Sequence, residues 1–151
     1  MRSAMKPRIT IRQISTEKEL EKAVRIRIRV FVREQGVPAE IELDDDDKRA
    51  LHLLASIGKK PVGTARIVMS GGKAKIGRMA VLKSHRRKKV GKKLLTRAIT
   101  TAKKQGARKI YLHAQVAVIG FYESAGFRCV GPVFDEADIA HRKMVLGRKG
   151  A

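Results

Sequence analysis

The sequence has little of several residue types that particular classes of protein need. It contains one cysteine, Cys129, so it forms no internal disulfide and lacks the ligand set of a zinc site. Tryptophan is absent and aromatic residues make up 4% of the chain, which leaves few rings for stacking on nucleic-acid bases. No apolar run approaches the roughly 18 residues of a membrane span. These features favour a reduced, cytoplasmic protein without a metal site.

Acidic residues are also scarce, and they are unevenly placed. Fourteen acids stand against 35 Lys and Arg residues, which gives a net charge of +21. A charge this large makes nucleic acid a candidate partner. Ten of the acids precede Lys48, and four are consecutive at 44–47. This acidic stretch lacks the alternating ligands and central glycine of a calcium loop. It either offsets nearby Arg and Lys side chains or forms a rim that attracts a cationic substrate.

Length and periodicity predict one domain over residues 1–151, with flexible ends at 1–7 and 147–151. The first eight residues are basic but have no apolar core for a signal peptide. Strands are predicted at 8–12, 51–57, 62–70, 73–81, 109–113, 127–133 and 142–146, and helices at 17–32, 90–104 and 115–124. This order predicts an α/β (mixed α+β) fold, in which a mixed, mostly antiparallel sheet carries helices on both faces.

A basic turn joins the fourth predicted strand to the second predicted helix. Seven of the eleven residues from Lys83 to Lys93 are Lys or Arg, and none is acidic. The opening amides of a helix have no internal acceptor, and the helix dipole adds partial positive charge there. The turn therefore predicts a phosphate-binding site, with a solvated basic face as the alternative.

No nucleophile triad, Walker loop or dinucleotide fingerprint is present. Tyr122, in the last predicted helix, carries a phenol whose reference pKa near 10 suits donation of a proton to a thiolate leaving group. His113 and Glu34 are candidate bases. The structural alternatives are a hydrogen-bonded histidine at a strand end and a salt bridge at a helix end.

Two segments carry a resemblance to a known family. Arg86–Gly91 is similar to the Q/R-x-x-G-x-G/A acetyl-CoA loop of the GNAT N-acetyltransferases, although Lys89 stands where that loop usually has glycine. Leu112–Gln115, taken together with Phe121–Phe127, resembles their second signature, F-Y-x-x-x-G-F. The sequence is identified on these motifs as a member of the GNAT superfamily.

The remaining segments narrow the resemblance. Val30–Pro38, the acids at 40–47 and the tail Phe134–Met144 resemble the ElaA-like and YjcF-like branch. The likeness extends from about Arg8 to Leu146. It implies an acetyl-CoA-dependent N-acetyltransferase that transfers the acetyl group directly to a small-molecule or peptide amine, in a superfamily where homodimers are common. The alternative is a basic protein on the same fold that associates weakly with nucleic acid and has no catalytic activity.

The resemblance also implies site residues. Those implied for acetyl-CoA are Met79, Ala80 and Val81 along the pantetheine arm, Arg86, Arg87, Lys88, Lys89, Val90, Gly91 and Lys92 around the pyrophosphate, and Gln115. Tyr122 would protonate the departing thiolate. The acceptor amine would approach near Phe31, Glu34 and His113, with Glu34 as a base.

Overall fold

The computed structural model describes residues 8–87 and 89–147. The predicted flexible ends, apart from Gly147, and Lys88 of the basic turn lie outside the described residues. The strands are β1 (Ile9–Gln13), β2 (Leu51–Ile57), β3 (Lys60–Ser70), β4 (Lys73–Val81), β5 (Lys109–Gln115), β6 (Phe127–Glu136) and β7 (Ile139–Leu146). The α-helices are α1 (Glu17–Arg27), α2 (Ala39–Glu42), α3 (Val90–Lys104) and α4 (Ile119–Glu123).

The seven strands form one sheet in the order β1-β2-β3-β4-β5-β7-β6. Every neighbouring pair is antiparallel except β4 and β5, which run parallel. The predicted mixed, mostly antiparallel sheet is thus confirmed. None of the helices in the described part of the chain is both long enough and apolar enough to cross a membrane.

Helices cover both faces of the sheet, as predicted. α3 packs its apolar side, which includes Leu94 and Ala98, on the face that also buries Leu112 of β5. Gly63 of β3 permits this close approach, because a Cβ there would lie 2.9 Å from Leu94 Cδ1. The opposite face is covered by α1, whose Ala23 and the following segment pack against β2 and β4.

Two predicted boundaries near the end of the chain are wrong. Gln115 was placed at the start of a helix, but it pairs with His141 in the β5–β7 ladder, and the α-helix begins only at Ile119. The last strand begins at Ile139, which places His141 inside it. In both cases pairing with a neighbouring strand extends a strand beyond the bounds that local pattern indicates.

The first predicted helix changes form partway. Thr16 caps α1, since its Oγ1 accepts from Glu19 N at 3.1 Å. After Arg27 the chain continues as a wider π-helical segment, Ile28–Glu34, in which Gln35 N donates to Val30 O at 3.2 Å. π-helical turns are rare and often occur at functional sites. This segment carries two of the predicted acceptor-side residues, Phe31 and Glu34.

The acidic stretch is folded against arginines. Arg27, with its side chain fully buried, donates to Glu42 Oε1 at 2.7 Å and to Asp47 Oδ1 at 2.8 Å. Arg66 of β3 donates to Asp44 Oδ1 at 2.6 Å and also to Asp47 at 3.0 Å. Of the two sequence interpretations, the one in which the acids offset nearby cations describes these carboxylates. They are paired with arginines rather than presented as a bare acidic rim.

Replacing Arg27 by methionine tests how much the fold depends on this pairing. Loss of the guanidinium removes the fully buried cation that bridges Asp47 and Glu42, which is 3% exposed. Breaking a buried ion pair in this way costs about 3–5 kcal/mol. Urea denaturation at neutral pH should show that loss. The matched change Arg29→Met, on the exposed side of the same helical segment, should alter the free energy of unfolding by no more than about 0.5 kcal/mol.

The same comparison has a pH dependence. Burial opposes the charge of Asp47, but the hydrogen bonds and charges of Arg27 and Arg66 outweigh it and hold the pKa of Asp47 below its ordinary value of 3.8. A carboxylate with a lowered pKa contributes stability that is present above the ordinary value and lost as pH falls through the folded-state value. The difference between wild type and Arg27→Met should therefore shrink in acid. Equal costs for the two arginine variants would contradict the assignment.

Candidate active site

The parallel strands at the centre of the sheet separate partway along their length. The ladder between β4 and β5 begins with the pair Lys73–Lys109. In the described structure it ends with the pair Ile76–Leu112. Beyond that point a cleft of about 940 Å³ opens, lined from both strands. Strand edges that face such a gap keep backbone groups available to an extended ligand. The gap is the main structural feature on which a site can be built.

A bulge in β4 accompanies this separation. Arg66 of β3 pairs with Gly77 and Thr64 pairs with Ala80, so β4 advances three residues while β3 advances two. Arg78 lies at the bulge with a left-handed φ of 47°. Bulges bend the strand that carries them and often lie beside active sites. Arg78 Nη2 donates to Asp44 Oδ2 at 3.0 Å, which ties the bulge to the acidic segment.

The basic turn follows β4 and leads into α3. Arg87 and Lys89 adopt left-handed conformations with φ of 65° and 67°. A left-handed position favours glycine, which accounts for the glycine usual at Lys89 in the related loops. No described side chain caps the start of α3. The first turn of this helix therefore presents amides and cations rather than a neutralising carboxylate.

Arg86 and Glu34, predicted for the cofactor and as a base, contact each other. Arg86 Nη2 donates to Glu34 Oε1 at 3.0 Å and Oε2 at 2.9 Å, and its Nε donates to Val81 O at 2.9 Å. Arg86 thus joins the end of β4 to the π-helical segment. Both carboxylate oxygens of Glu34 accept from a cation in this arrangement.

Tyr122 lies against the cleft on α4. Its ring packs edge-on against Phe121 and Phe127, with centroids 5.0 and 6.2 Å away. Its hydroxyl points to Met79 Sδ at 3.9 Å, a weak acceptor. Burial raises the pKa of Tyr122 to about 12. The group is therefore a neutral phenol at physiological pH, with a proton that no strong acceptor in the described structure holds.

Most of the predicted site residues come together around the cleft. Those that line it are Phe31, Met79, Val81, Arg86, Arg87, Gly91, His113, Gln115 and Tyr122. The others differ in exposure. The Ala80 and Val90 side chains are buried in the core, whereas Lys89 and Lys92 are exposed. Gln115 is half-buried, and its Nε2 donates to Gln35 Oε1 at 2.9 Å across the cleft.

Sequence reasoning missed two residues that line the same cleft. Glu136 Oε1 accepts from His113 Nδ1 at 3.1 Å, and His141 Nε2 lies 3.7 Å from the other carboxylate oxygen. The signal that could have identified them is a short turn at Ala137-Asp138, both of which have positive φ, with a strand on each side of it. A two-residue turn of that kind closes a hairpin and places alternate residues on one face.

Comparison with known proteins agrees with this arrangement. Residues 14–147 match the model of the acetyltransferase (GNAT) domain. The chain belongs to the GNAT acetyltransferase family. Its sequence is 38% identical over 130 residues to the uncharacterised N-acetyltransferase YjcF of Bacillus subtilis, covering 85% of this chain and 93% of that protein.

Solved structures of similar proteins agree in fold. The crystal structure of Escherichia coli ElaA superposes with a TM-score of 0.84 at 29% identity, over 93% of this chain and 100% of that one. The crystal structure of an acyl-CoA N-acyltransferase from Pseudomonas aeruginosa superposes with a TM-score of 0.81 at 29% identity, over 93% of this chain and 99% of that one. The resemblance to the ElaA-like and YjcF-like branch is thereby confirmed.

The raised pKa of Tyr122 has a consequence for the stability of this GNAT domain. An acid whose folded-state pKa exceeds its unfolded value of 10.0 contributes stability that is fully present below pH 10 and is lost as pH rises through about 12. Between about pH 9 and pH 11, wild type should lose about 1 kcal/mol more of its free energy of unfolding than Tyr122→Phe does. Urea denaturation across this range measures the difference.

Tyr111→Phe is the matched control, because it removes the chain's other phenol. Its curve should follow that of wild type. If Tyr122→Phe lost stability in parallel with wild type, the phenol would not be buried as described.

Proposed function

We propose that the protein is an acetyl-CoA-dependent N-acetyltransferase, which moves an acetyl group to a primary amine by direct transfer in a ternary complex. The observation that carries the proposal is the cleft at the separation of β4 and β5. It has cations of the basic turn along one part and the neutral phenol of Tyr122 along another. Family membership supports acyl transfer in general. The cations and the phenol of the cleft favour acetyl-CoA as the donor and an amine as the acceptor.

The residues present fit the diphosphate of coenzyme A. Arg87 lines the cleft, and the exposed Lys89 and Lys92 flank the uncapped start of α3. Amides at a helix start and nearby cations favour a phosphate. Gly91, in the first turn of α3, also lines the cleft. Lys88, assigned to the same group, lies outside the described residues.

The pantetheine arm fits the open edge of β4. Met79 and Val81 line the cleft, and the backbone of Met79, Ala80 and Val81 lies beyond the last β4–β5 ladder pair. An amide-bearing chain in that gap completes strand pairing much as an added strand does. Gln115, assigned to the cofactor, lies at the end of β5, the strand that faces β4 across the gap. Its side chain donates a hydrogen bond to Gln35, which follows the π-helical segment.

The chemistry that acetyl-CoA supplies is an acetyl group activated as a thioester. Tyr122 then acts as the acid, since a neutral phenol beside the cleft can give its proton to a departing thiolate. A backbone N–H of β4 near Val81 would polarise the acetyl carbonyl. The acceptor amine would enter from the side of Phe31, Glu34 and His113. Of the two candidate bases there, Glu34 is paired with Arg86.

Calorimetric titration with acetyl-CoA in the absence of an acceptor tests the cofactor assignment. Wild type should bind at sub-millimolar concentration. Arg87→Ala, which removes a cation from the cleft, should weaken binding by roughly tenfold, as expected for the loss of a contact worth about 1.4 kcal/mol. Lys104→Ala, at the far end of α3, is the matched control and should bind as wild type does. No measurable binding by wild type would contradict the proposal.

Tyr122→Phe tests the acid. Loss of the proton donor should lower turnover by roughly 10² or more, while affinity for acetyl-CoA changes little, since the lost group acts on the departing sulfur. Release of the coenzyme A thiol and calorimetry measure the two quantities. Tyr111→Phe serves as control and should keep both. If Tyr122→Phe turned over at the wild-type rate at every pH, Tyr122 would not be the acid.

The net charge of +21 favours a second candidate, a nucleic-acid-binding protein without catalytic activity. Binding of that kind rests on counterion release, so it falls steeply as salt rises. A salt titration with single-stranded RNA, run beside the acetyl-CoA titration, separates the candidates. Tight, salt-dependent RNA binding with no response to acetyl-CoA would favour the second.

A further inference from the structure

A carboxylate in the cleft holds two imidazoles. Glu136, at the end of β6, lies 3.1 Å through Oε1 from His113 Nδ1 on β5. Its Oε2 lies 3.7 Å from His141 Nε2 on β7. The Phe134 ring contacts both imidazoles, edge-on to His113 with centroids 5.0 Å apart and stacked with His141 at 6.0 Å. These three groups, which we call the His113–Glu136–His141 cluster, are not arranged to hold a metal in the described part of the chain.

The hydrogen bonds of the cluster determine which nitrogen of His113 carries a proton. The hydrogen bond with His113 lowers the pKa of Glu136 to about 2, so the carboxylate is ionised and can only accept. Nδ1 of His113 must therefore donate. In the neutral imidazole the lone pair then lies on Nε2, for which the described structure shows no hydrogen-bond partner. His113 lines the cleft and its side chain is 25% exposed.

His141 anchors the carboxylate from the other side. Its Nδ1 donates to the Ile139 carbonyl at 2.6 Å, which turns Nε2 toward Glu136. Because Nδ1 already carries a proton, Nε2 carries one only in the imidazolium form, and the contact with Glu136 is then attractive. The carboxylate is thus held between two strands, and it holds His113 in one orientation.

The position of His113 matches the side from which an amine would approach. It directly follows Leu112, the last β5 residue paired with β4. Leu112 is buried under α3, and side chains alternate along a strand, so His113 points to the opposite face. Tyr122 packs with the core on the α3 side. The phenol and the imidazole therefore flank the gap from opposite faces of the sheet.

The other charged groups around the cluster are accounted for. Lys75 of β4 contributes to the low pKa of Glu136, and Lys143 of β7 lies over the Tyr111 ring at 4.9 Å. From the acidic segment, Glu42, Asp44 and Asp46 line the cleft, and all three pair with arginines. Glu34 likewise has both oxygens on Arg86. Among the described groups of the cleft, this leaves two imidazole nitrogens that accept from no donor, Nε2 of His113 and Nε2 of His141. His141 is 7% exposed, so Nε2 of His113 is the more accessible of the two.

We propose that His113 is the base that accepts a proton from the acceptor ammonium, and that Glu136 and His141 are positioning residues that set its tautomer. This rests on the proposed function. One proton leaves the ammonium nitrogen for His113 Nε2 and passes on to solvent. The freed electron pair forms the N–C bond as the C–S bond breaks. Sulfur takes the proton of Tyr122, and the phenolate recovers the second proton that the nitrogen loses.

The tautomer can be tested without cofactor or acceptor. The chain has four histidines, so protein labelled with 15N-histidine gives four imidazole patterns, and His113→Gln assigns one of them. His113 should show protonated Nδ1 and unprotonated Nε2 above neutral pH. Glu136→Ala should shift it toward the Nε2–H form, and Glu136→Gln, whose side-chain oxygen still accepts, should restore the Nδ1–H form. An Nε2–H tautomer in wild type overturns the proposal.

The role as base is tested with two probe amines. n-Butylamine is protonated near pH 7, whereas trifluoroethylamine, whose fluorines withdraw electrons, is largely unprotonated and needs no base. His113→Gln should lower kcat by roughly 10² to 10⁴ with n-butylamine and by far less with trifluoroethylamine. Tyr111→Phe, whose ring neighbours His113 at 6.0 Å, is the control and should leave the ratio unchanged.

The outcomes are distinguishable. Equal losses with both amines in an active protein overturn the base assignment alone and leave the proposed function intact. If wild type binds no acetyl-CoA and acetylates neither amine, both proposals fail. Selective loss with n-butylamine, together with an unchanged acetyl-CoA affinity in His113→Gln, supports the base.

Discussion

The buried guanidinium of Arg27 forms the ion pairs that hold the acidic segment against α1, beside the cleft. It is inaccessible to solvent and binds Glu42 and Asp47, two carboxylates from the segment that follows the π-helical turn. A buried ion is tolerated only when its partners and hydrogen bonds are complete. Here completion requires the acidic segment to fold back on α1. That segment in turn reaches Arg66 and Arg78 on the sheet.

The ion pairs between the acidic segment and the arginines also reach the β4 bulge beside the cleft. Arg78 stands at the β4 bulge in a left-handed conformation, and its guanidinium pairs with Glu42 and Asp44. The contacts hold β4 in the shape that it needs to diverge from β5. Most of the chain's few acids precede Lys48, and several of them are used in this network. The remainder of the surface is left strongly basic, which suits a polyanionic cofactor at the far end of the same cleft.

Local pattern was enough to predict the order of strands and helices, the mixed sheet and the basic turn, because each rests on periodicity or on a short motif. Arg27 was missed although a signal exists. It lies three residues after Val24 and four before Phe31, on the apolar stripe of its helix, where a cation needs a buried partner. The identity of that partner follows from contacts 15 and 20 residues away, which periodicity does not specify.

The same reason explains the His113–Glu136–His141 cluster. Each residue occupies an ordinary position on a strand, and only the β5–β7–β6 pairing brings the three together. The strand order of the sheet, rather than any motif, therefore creates the second polar centre of the cleft. Motif resemblance identifies the elements shared across a family, namely the turn, the helix start and the phenol. Residues that join distant strands depend on register.

The basic turn shows why a departure from a motif need not weaken a site. Lys89 keeps the left-handed conformation that glycine adopts more readily, at a cost of about 1–2 kcal/mol. Arg87 bears a similar cost two residues earlier. Both side chains are exposed cations at the start of a helix that no described side chain caps. A bound diphosphate would gain from both charges, so the backbone strain is offset in the complex rather than in the free protein. The lysine therefore preserves the loop's geometry, and it would add attraction for the proposed diphosphate.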